Sequence, residues 1–369
     1  MSTKDNISVI IDYITNQGFS YPGKLVENFY LSLKSKPFVI LAGTSGTGKT
    51  RLVRLFAEAI NAEYKLVPVR PDWSDSSDLF GHVNLNDKFV SGAIIDFIKA
   101  ANDNPSKPYI LCLDEMNLAR VEYYLSDFLS IIETRDMRDG IIETDSLISI
   151  DKYGIDEDAI KKYGELSFPE NLYVVGTVNM DETTFPFSKK VLDRANTIEF
   201  NYVDLIPSFN SNEEVEKISV DNSFLRSQYL KLAECTGEDE FINTACTELQ
   251  NINRILQTAN LHVGYRVRDE IVFYLLNNKN SENLISYNDA FDNQLLQKIL
   301  PRVQGSSESI RKMLCDLFKH IAGDFELANG NSDSERMQKI IDDNTPLLVA
   351  AEAEVTSASD TVENYQSQL

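Results

Sequence analysis

The stretch Gly43-Thr44-Ser45-Gly46-Thr47-Gly48-Lys49-Thr50 directly follows an apolar run, Pro37-Phe38-Val39-Ile40-Leu41-Ala42. The run predicts a buried strand, and the pattern after Gly48 predicts an amphipathic helix. Glycines let consecutive backbone N–H groups point at a phosphate, and the helix adds the positive end of its dipole. Lys49 would charge-balance the β- and γ-phosphate oxygens, and Thr50 would offer a hydroxyl to Mg²⁺. All eight residues, Gly43 to Thr50, are therefore predicted to bind a nucleotide.

Further strand and helix patterns outside this loop indicate the fold class. Strand signals alternate with helices or longer inserts at 38–42, 65–69, 109–113 and 172–178. This alternation predicts an α/β fold, with a parallel sheet between helices on both faces in three layers. From about residue 201 onward only helical patterns remain, which predicts an all-helical second domain with helices at 224–235, 241–258, 267–276, 290–300 and 309–321.

These patterns divide the chain into four predicted parts. An N-terminal helical extension covers residues 1–32, and the nucleotide-binding core covers 33–205. The helical domain covers 206–325, and an acidic tail, flexible in part, covers 326–369. We also expect the polar stretch 136–168 to be a surface insertion that contains a hairpin at 140–150.

The charge and the cysteines narrow the range of partners and compartments. The 369 residues carry a formal net charge of −22, with 57 acidic and 35 basic side chains. Stable binding of duplex DNA by this chain alone is unfavourable, because such binding needs clustered cations that release counterions. Four cysteines stand far apart without a C-x-x-C pair, which favours reduced thiols. No signal sequence or membrane span is evident, so we expect a cytoplasmic location without membrane contact.

A pair of acids follows the strand pattern at 109–113. Asp114 and Glu115 would lie at the carboxyl end of that strand, where a phosphate loop needs an acid to order Mg²⁺. Asp114 is the candidate metal acid, and Glu115 is the candidate general base for the attacking water. The alternative is that both acids only cap the following helix.

Three more polar residues are candidates for the same site. Asn179 ends the strand pattern at 172–178 and would orient the lytic water, although it also suits a simple turn. Arg194 would act as an arginine finger in a neighbouring subunit, its alternative being a surface ion pair with Asp193 or Glu199. Arg266 lies at the start of a predicted helix of the second domain, from where its positive charge would contact the nucleotide. The alternative is that Arg266 is an ordinary surface charge.

Several motifs together resemble the McrB-like branch of AAA+ NTPases. They are GTSGTGKT at 43–50, LCLDEMNLAR at 111–120, VVGTVNMDETTFPFSKKVLDRA at 174–195 and the stretch Val69–Gly81, within a resemblance that covers about 36–305. The resemblance implies a hexameric ring that hydrolyses GTP and drives a separate McrC-like nuclease subunit of a restriction system. It also places Glu182 where the family motif has a water-aligning aspartate, and Val178 where the motif has methionine.

The choice of nucleotide and of partner stays open at this point. The guanine-reading Asn-Lys-x-Asp sequence is absent, so GTP rests on the resemblance and either GTP or ATP is compatible with the residues. We expect Mg²⁺ as cofactor, a homo-oligomer, and DNA contacted mainly through a partner. The alternative functions are a MoxR-like AAA+ chaperone that remodels proteins, and a nucleotide-gated scaffold without turnover.

Overall fold

A computed structural model describes residues 2–154, 156–180, 185–200, 203, 205, 217–305 and 307–322. The chain forms two compact units, Met1–Leu230 and Lys231–Leu369. None of the described helices is both long enough and apolar enough to cross a membrane.

The first unit is built on a parallel sheet of five strands, supplemented by three small antiparallel pairs. In chain order the strands are β1 (Phe38–Gly43), β2 (Glu63–Pro68), β3 (Gly81–Val83), β4 (Phe89–Ser91), β5 (Tyr109–Asp114), β6 (Asp136–Arg138), β7 (Ile141–Glu143), β8 (Ser146–Ile148), β9 (Leu166–Ser167), β10 (Leu172–Asn179) and β11 (Asn196–Phe200). The order in the parallel sheet is β11-β1-β10-β5-β2. The antiparallel pairs are β3 with β4, β6 with β7, and β8 with β9.

Helices complete the first unit. They are α1 (Thr3–Asn16), α2 (Leu25–Ser35), α3 (Lys49–Ala59), α4 (Ser77–Phe80), α5 (Ile95–Asp103), α6 (Val121–Tyr124), α7 (Ser126–Ile131), α8 (Glu157–Tyr163) and α9 (Lys189–Leu192). Helix α2 packs on α3 through Phe29 and Phe56, whose rings meet edge to face at 5.1 Å. The three-layer α/β architecture predicted from the sequence is confirmed.

Strand β1 shows how the sheet is covered on both faces. Phe38, Ile40 and Ala42 belong to one apolar cluster with residues of α5, α6 and α7. Because successive side chains of a strand point to opposite faces, the buried Val39 and Leu41 face the other layer. A strand buried on both faces reads as a continuous apolar run, which is why this one was visible in the sequence.

Two local predictions need correction. The fifth strand, β11, was not predicted, because three of the five residues in Asn196–Phe200 are polar, so the strand lacks the apolar run of the other central strands. The hairpin expected at 140–150 is instead β6 with β7, and it turns at Asp139 and Gly140, both with positive φ. The next strand, β8, pairs with β9 across the insertion.

Residues 217–227, which we call the strap, run along the first unit near the amino ends of its strands. The amide of Ile218 donates to Ala59 O, and the amide of Asn222 donates to Ser106 O, just before β5. Tyr173 at the start of β10 donates its hydroxyl to Asn222 Oδ1 at 2.8 Å. The helix predicted at 224–235 is therefore wrong, since this segment forms only short 3₁₀ turns at Asn222–Phe224 and Leu232–Glu234.

The described part of the second unit is helical, as predicted. Its helices are α10 (Asp239–Gln257), α11 (Tyr265–Asn280), α12 (Tyr287–Gln294) and α13 (Glu308–Ala322), with a π-helical turn at Leu295–Ile299. Helix α10 buries Ala245, Leu249, Ile252 and Leu256, the spacing of one helical face. The predicted boundary at 205/206 and the predicted tail at 326–369 lie at or beyond the edges of the described residues and stay predictions.

No disulfide joins any of the four cysteines, all of which lie among the described residues. Cys112 and Cys235 are buried, while Cys246 and Cys315 are partly exposed. Burial raises the pKa of the Cys112 thiol to about 12, so this thiol is unreactive at neutral pH.

Candidate functional site

The glycine-rich loop 43–50 joins the end of β1 to the start of α3. Thr44, Ser45 and Gly46 are exposed, whereas Lys49 is only 5% exposed. The Lys49 ammonium donates to Gly43 O at 2.9 Å and to Thr44 O at 2.5 Å. The loop thus wraps around its own lysine, and its exposed residues 44–46 are available to an anionic ligand.

Two of the loop glycines are required by the geometry. A Cβ at Gly43 would lie 2.6 Å from Phe200 O on the neighbouring strand β11, so a side chain there would force the strands apart. Gly48 precedes α3 with a φ of 90°, in the left-handed region that other residues rarely adopt. These two positions set the curvature that directs the N-terminus of α3 at the loop.

Thr50 and Asp114 meet at the carboxyl edge of the sheet. The Thr50 hydroxyl donates to Asp114 Oδ1 at 2.6 Å, which joins the first turn of α3 to the end of β5. Both side chains are partly exposed. Both residues were predicted from the sequence to bind Mg²⁺, and in the structure their side chains are in direct contact.

Glu115 is held in an unusual backbone conformation. Its φ of 52° and ψ of 48° lie in the left-handed region, which costs a non-glycine residue about 1 kcal/mol or more. Asn179 Nδ2 donates to Glu115 Oε1 at 2.9 Å, so the carboxylate is directed to the end of β10. The predicted base and the predicted sensor residue are therefore hydrogen-bonded partners.

Sequence reasoning missed two polar residues of this site, one bonded to the acids and one bonded to Asn179. Thr177 Oγ1 donates to Asp114 Oδ1 at 2.7 Å, and the amide of Glu115 donates to Thr177 Oγ1 at 3.0 Å. Asn117 Nδ2 donates to Asn179 O at 3.2 Å. A threonine inside an apolar strand suits β-structure on propensity alone, so only its distance of two residues from Asn179 could have signalled a role.

The N-terminal extension also contacts the loop, through Tyr21. The phenol donates to Gly48 O at 3.0 Å, and its ring lies edge to face with Phe200 at 6.1 Å. Burial raises the pKa of Tyr21 above its ordinary value, while the nearby Arg51 opposes that rise, so the phenol stays a donor. The sequence analysis did not predict the contact between Tyr21 and Gly48, because residues 27 positions apart leave no pattern in the sequence.

Arg194 lies against its own subunit. Its Nε donates to Leu129 O at 2.8 Å, its Nη1 donates to Lys190 O at 2.9 Å, and Glu133 Oε1 lies 3.4 Å from Nε. Neither Asp193 nor Glu199, the partners weighed in the sequence analysis, is the acid in this ion pair. The finger role stays a prediction.

The remaining two candidates, Glu182 and Arg266, stay predictions. Glu182 lies outside the described residues. Arg266 lies in the first turn of α11 in the second unit, where it is exposed. Its neighbour Arg268 pairs with Asp269 and lies over the Tyr265 ring.

The oxygen atoms of this site fit Mg²⁺. Thr50 and Asp114 offer hard oxygen ligands, which Mg²⁺ prefers, and Mg²⁺ commonly takes only one or two protein ligands beside phosphate and water. Among the described residues no group of three or more His, Cys, Asp or Glu side chains could hold a metal by itself. A cation shared between protein and nucleotide suits this donor set, whereas a self-contained metal cage does not.

Comparison with known families decides the class of this site. Residues 38–195 match a family model described as an AAA domain of the dynein-related subfamily. The chain contains an AAA+ ATPase domain. The matched range begins at β1 and ends next to Arg194, so it spans the phosphate loop, both acids and Asn179. An AAA+ domain is a nucleotide-binding and nucleotide-hydrolysing module that typically uses Mg²⁺.

Residues 214–358 match a second model, described as a domain of unknown function (DUF8727).

Two curated proteins resemble this AAA+ protein at low identity. The Type IV methyl-directed restriction enzyme EcoKMcrB subunit of Escherichia coli is 23% identical over 260 residues, which is 67% of this chain and 49% of that protein. A Lon protease of Lachnoclostridium phytofermentans is 25% identical over 230 residues, 58% of this chain and 26% of the protease. The chain thus spans about half the length of the first relative and about a quarter of the second.

A solved structure from Cytophaga hutchinsonii, assigned as an ATPase, aligns with 84% of this chain and 84% of its own. The TM-score is 0.43 and the sequence identity is 16%.

Proposed function

We propose that this AAA+ protein is a ring-forming nucleoside triphosphatase in which Glu115 is the general base. The observation that carries the proposal is the bond from Asn179 Nδ2 to Glu115 Oε1, beside the Thr50–Asp114 pair. A general base must be held where it can accept a proton from the attacking water. Asn179 holds the Glu115 carboxylate at one oxygen, which leaves the other to accept that proton.

The remaining loop and strand residues would bind the triphosphate. The backbone amides of 43–50 and the Lys49 ammonium would contact its phosphate oxygens. Thr50 and Asp114 would hold Mg²⁺, which when bound neutralises charge on the β- and γ-phosphate oxygens. Every residue of this group lies on a strand end, on the loop or in the first turn of α3, so the site is positioned by the sheet rather than by flexible segments.

Completion of the site by a neighbouring subunit is part of the proposal. Arg194 would leave Glu133 and its two carbonyl partners to reach the transferred phosphoryl across the seam between two copies. Arg266 would act from the second unit, and Glu182 would help align water. Mixing Arg194→Ala subunits with Lys49→Ala subunits tests this: recovered hydrolysis supports action in trans, and no recovery at any ratio contradicts it.

The biological role we propose is the motor of an McrBC-type restriction system in the cytoplasm, acting with an McrC-like nuclease subunit. The 23% identity to the EcoKMcrB subunit over 260 residues supports this role. The net charge of −22 supports DNA contact through the partner rather than through this chain. GTP is the proposed nucleotide by the same resemblance, with ATP as the alternative.

A second candidate is a MoxR-like chaperone that remodels protein partners. The similarity to a Lon protease favours it, because that relative acts on proteins. An acidic surface is also compatible with protein substrates.

Turnover measurements with and without a partner separate the two candidates. We would compare GTP and ATP hydrolysis by the purified protein alone, with the product of an adjacent gene, and with an unfolded protein. The motor role predicts GTP turnover that rises with a nuclease-like partner, which then cleaves DNA. Turnover limited to ATP, unchanged by such a partner and stimulated by unfolded protein, would establish the chaperone instead.

A further inference from the structure

One buried hydroxyl links the two acids of the site. Thr177 lies in β10 and is 2% exposed. Its Oγ1 donates to Asp114 Oδ1 at 2.7 Å and accepts from the Glu115 amide at 3.0 Å. The acid next to the metal position and the backbone of the base are therefore joined through a single side-chain oxygen.

The end of the β5–β10 ladder explains why a side chain is needed here. The parallel register between these strands ends with Gly176 opposite Leu113. Two residues later, Glu115 turns into the left-handed region, and its N–H is bonded to a side chain rather than to the ladder. A partly buried N–H outside the ladder still needs an acceptor, and the Thr177 hydroxyl provides it.

The same hydroxyl restricts the Asp114 carboxylate. Oδ1 accepts from Thr50 on one side and from Thr177 on the other, at 2.6 and 2.7 Å. No described residue donates a hydrogen bond to Oδ2. Two donors on one oxygen fix the rotation of the carboxylate and leave its second oxygen for a ligand.

We propose that Thr177 is a positioning residue that sets the metal-binding orientation of Asp114 and the placement of Glu115 together. The inference deepens the proposed nucleotide hydrolysis and rests on it. Thr177 acts only through the two acids and does not touch the reacting atoms.

The change Thr177→Val isolates the hydroxyl, since valine keeps the branched shape and the strand preference of threonine. It leaves the Glu115 amide without its acceptor and removes one of the two donors that fix Asp114. Thr177→Ser restores the hydroxyl without the methyl group. Thr177→Ala is the second hydroxyl-free variant in case the valine packs badly.

Thr197 offers a matched control in the same sheet. It lies in β11, is 6% exposed, and its hydroxyl makes no hydrogen bond with any described residue. Thr197→Val therefore removes a buried strand hydroxyl that has no link to either acid. Circular dichroism of all four variants verifies that they fold.

Two readouts test the proposal. The first is the Mg²⁺ concentration that half-saturates binding of a fluorescent, non-hydrolysable nucleotide analogue, and the second is kcat. Partners that orient metal ligands contribute about 10- to 100-fold to metal affinity or activity. We expect Thr177→Val and Thr177→Ala to raise the Mg²⁺ midpoint and lower kcat by about that factor, with Thr177→Ser within about threefold of wild type. Thr197→Val should match wild type in both.

The outcomes for the inference and for the proposed function are separable. If wild type hydrolyses nucleotide and both hydroxyl-free variants keep the wild-type Mg²⁺ midpoint and kcat, the role of Thr177 is refuted while the function stands. If wild type binds the analogue without turnover, hydrolysis is refuted, and the Mg²⁺ midpoints still decide whether Thr177 orients Asp114. A serine variant as impaired as the valine variant would also count against the hydroxyl.

Discussion

Two buried lysines of the first unit both donate to backbone carbonyl oxygens, but their hydrogen bonds serve different purposes. Lys49, beneath the phosphate loop, donates to carbonyls five and six residues before it in its own loop. Lys34, 4% exposed near the amino ends of the strands, donates to Ser223 O, Phe224 O and Arg226 O of the strap. Those partners lie about 190 residues away in the sequence.

The difference indicates what each ammonium is for. Lys34 joins distant segments, so its hydrogen bonds exist only when the chain is folded, and they contribute to the free energy of unfolding. Lys49 is hydrogen-bonded within a short, partly exposed loop, so we expect its charge to contribute more to ligand binding than to the free energy of unfolding. Tyr30, which also donates to Phe224 O, strengthens the strap contact further.

Of the changes that test this difference between the two lysines, Lys49→Met should have the largest effect. The methionine keeps the length of the side chain but removes the charge that would contact the phosphates. A hydrogen bond to a charged group contributes about 1.5–3 kcal/mol, so nucleotide affinity should fall about 10- to 100-fold. Equilibrium binding of a fluorescent nucleotide measures this. Unchanged affinity would show that Lys49 does not serve the ligand.

Lys34→Met should reverse this pattern. It removes the Lys34 donor from three strap carbonyls, although Phe224 O keeps the Tyr30 hydroxyl, and we expect the free energy of unfolding to fall by about 2 kcal/mol. Nucleotide affinity of the folded protein should stay within about twofold, because Lys34 is remote from the loop. Denaturant unfolding beside the binding assay measures both. A variant as stable as wild type that binds nucleotide poorly would contradict the division between the two lysines.

A smaller effect is expected from pH. Burial lowers the pKa of Lys34 from its ordinary value of 10.5 to about 8. Between these values the unfolded chain holds a proton that the folded chain has lost, so the free energy of unfolding rises with pH. From pH 7 to pH 9 this gain is about 1 kcal/mol. Measured by denaturant unfolding, the free energy of unfolding should rise with pH more steeply for wild type than for Lys34→Met. Parallel pH profiles of the two proteins would contradict this prediction.

The sequence predicted much of the site because its parts are local or repeat at the same edge of a sheet. The phosphate loop is a contiguous motif. Asp114, Glu115 and Asn179 each end a strand of strong apolar character, and the carboxyl ends of parallel strands converge. Hydrogen bonds from Thr50 to Asp114 and from Asn179 to Glu115 follow from that convergence.

What the sequence could not predict depends on contacts between distant segments. Tyr21 reaches Gly48, and Tyr30 and Lys34 hold the strap, whose last residues fell within the helix predicted at 224–235. The Thr177 hydroxyl matters because a ladder ends beside it, which no propensity records. Arg194 was predicted from its position after β10, but its partner Leu129 O lies in α7 and its partner Glu133 lies in the 3₁₀ turn after α7.

The most direct test of the hydrolytic site is single-turnover hydrolysis of bound nucleotide by Glu115→Gln beside wild type. The amide keeps the size of the side chain and can still meet Asn179, but it cannot accept a proton from water. General bases contribute about 10²- to 10⁴-fold, so we predict binding close to wild type and a rate of hydrolysis reduced by at least about 100-fold. Hydrolysis at the wild-type rate would contradict the assignment of Glu115 and, with it, the proposed mechanism.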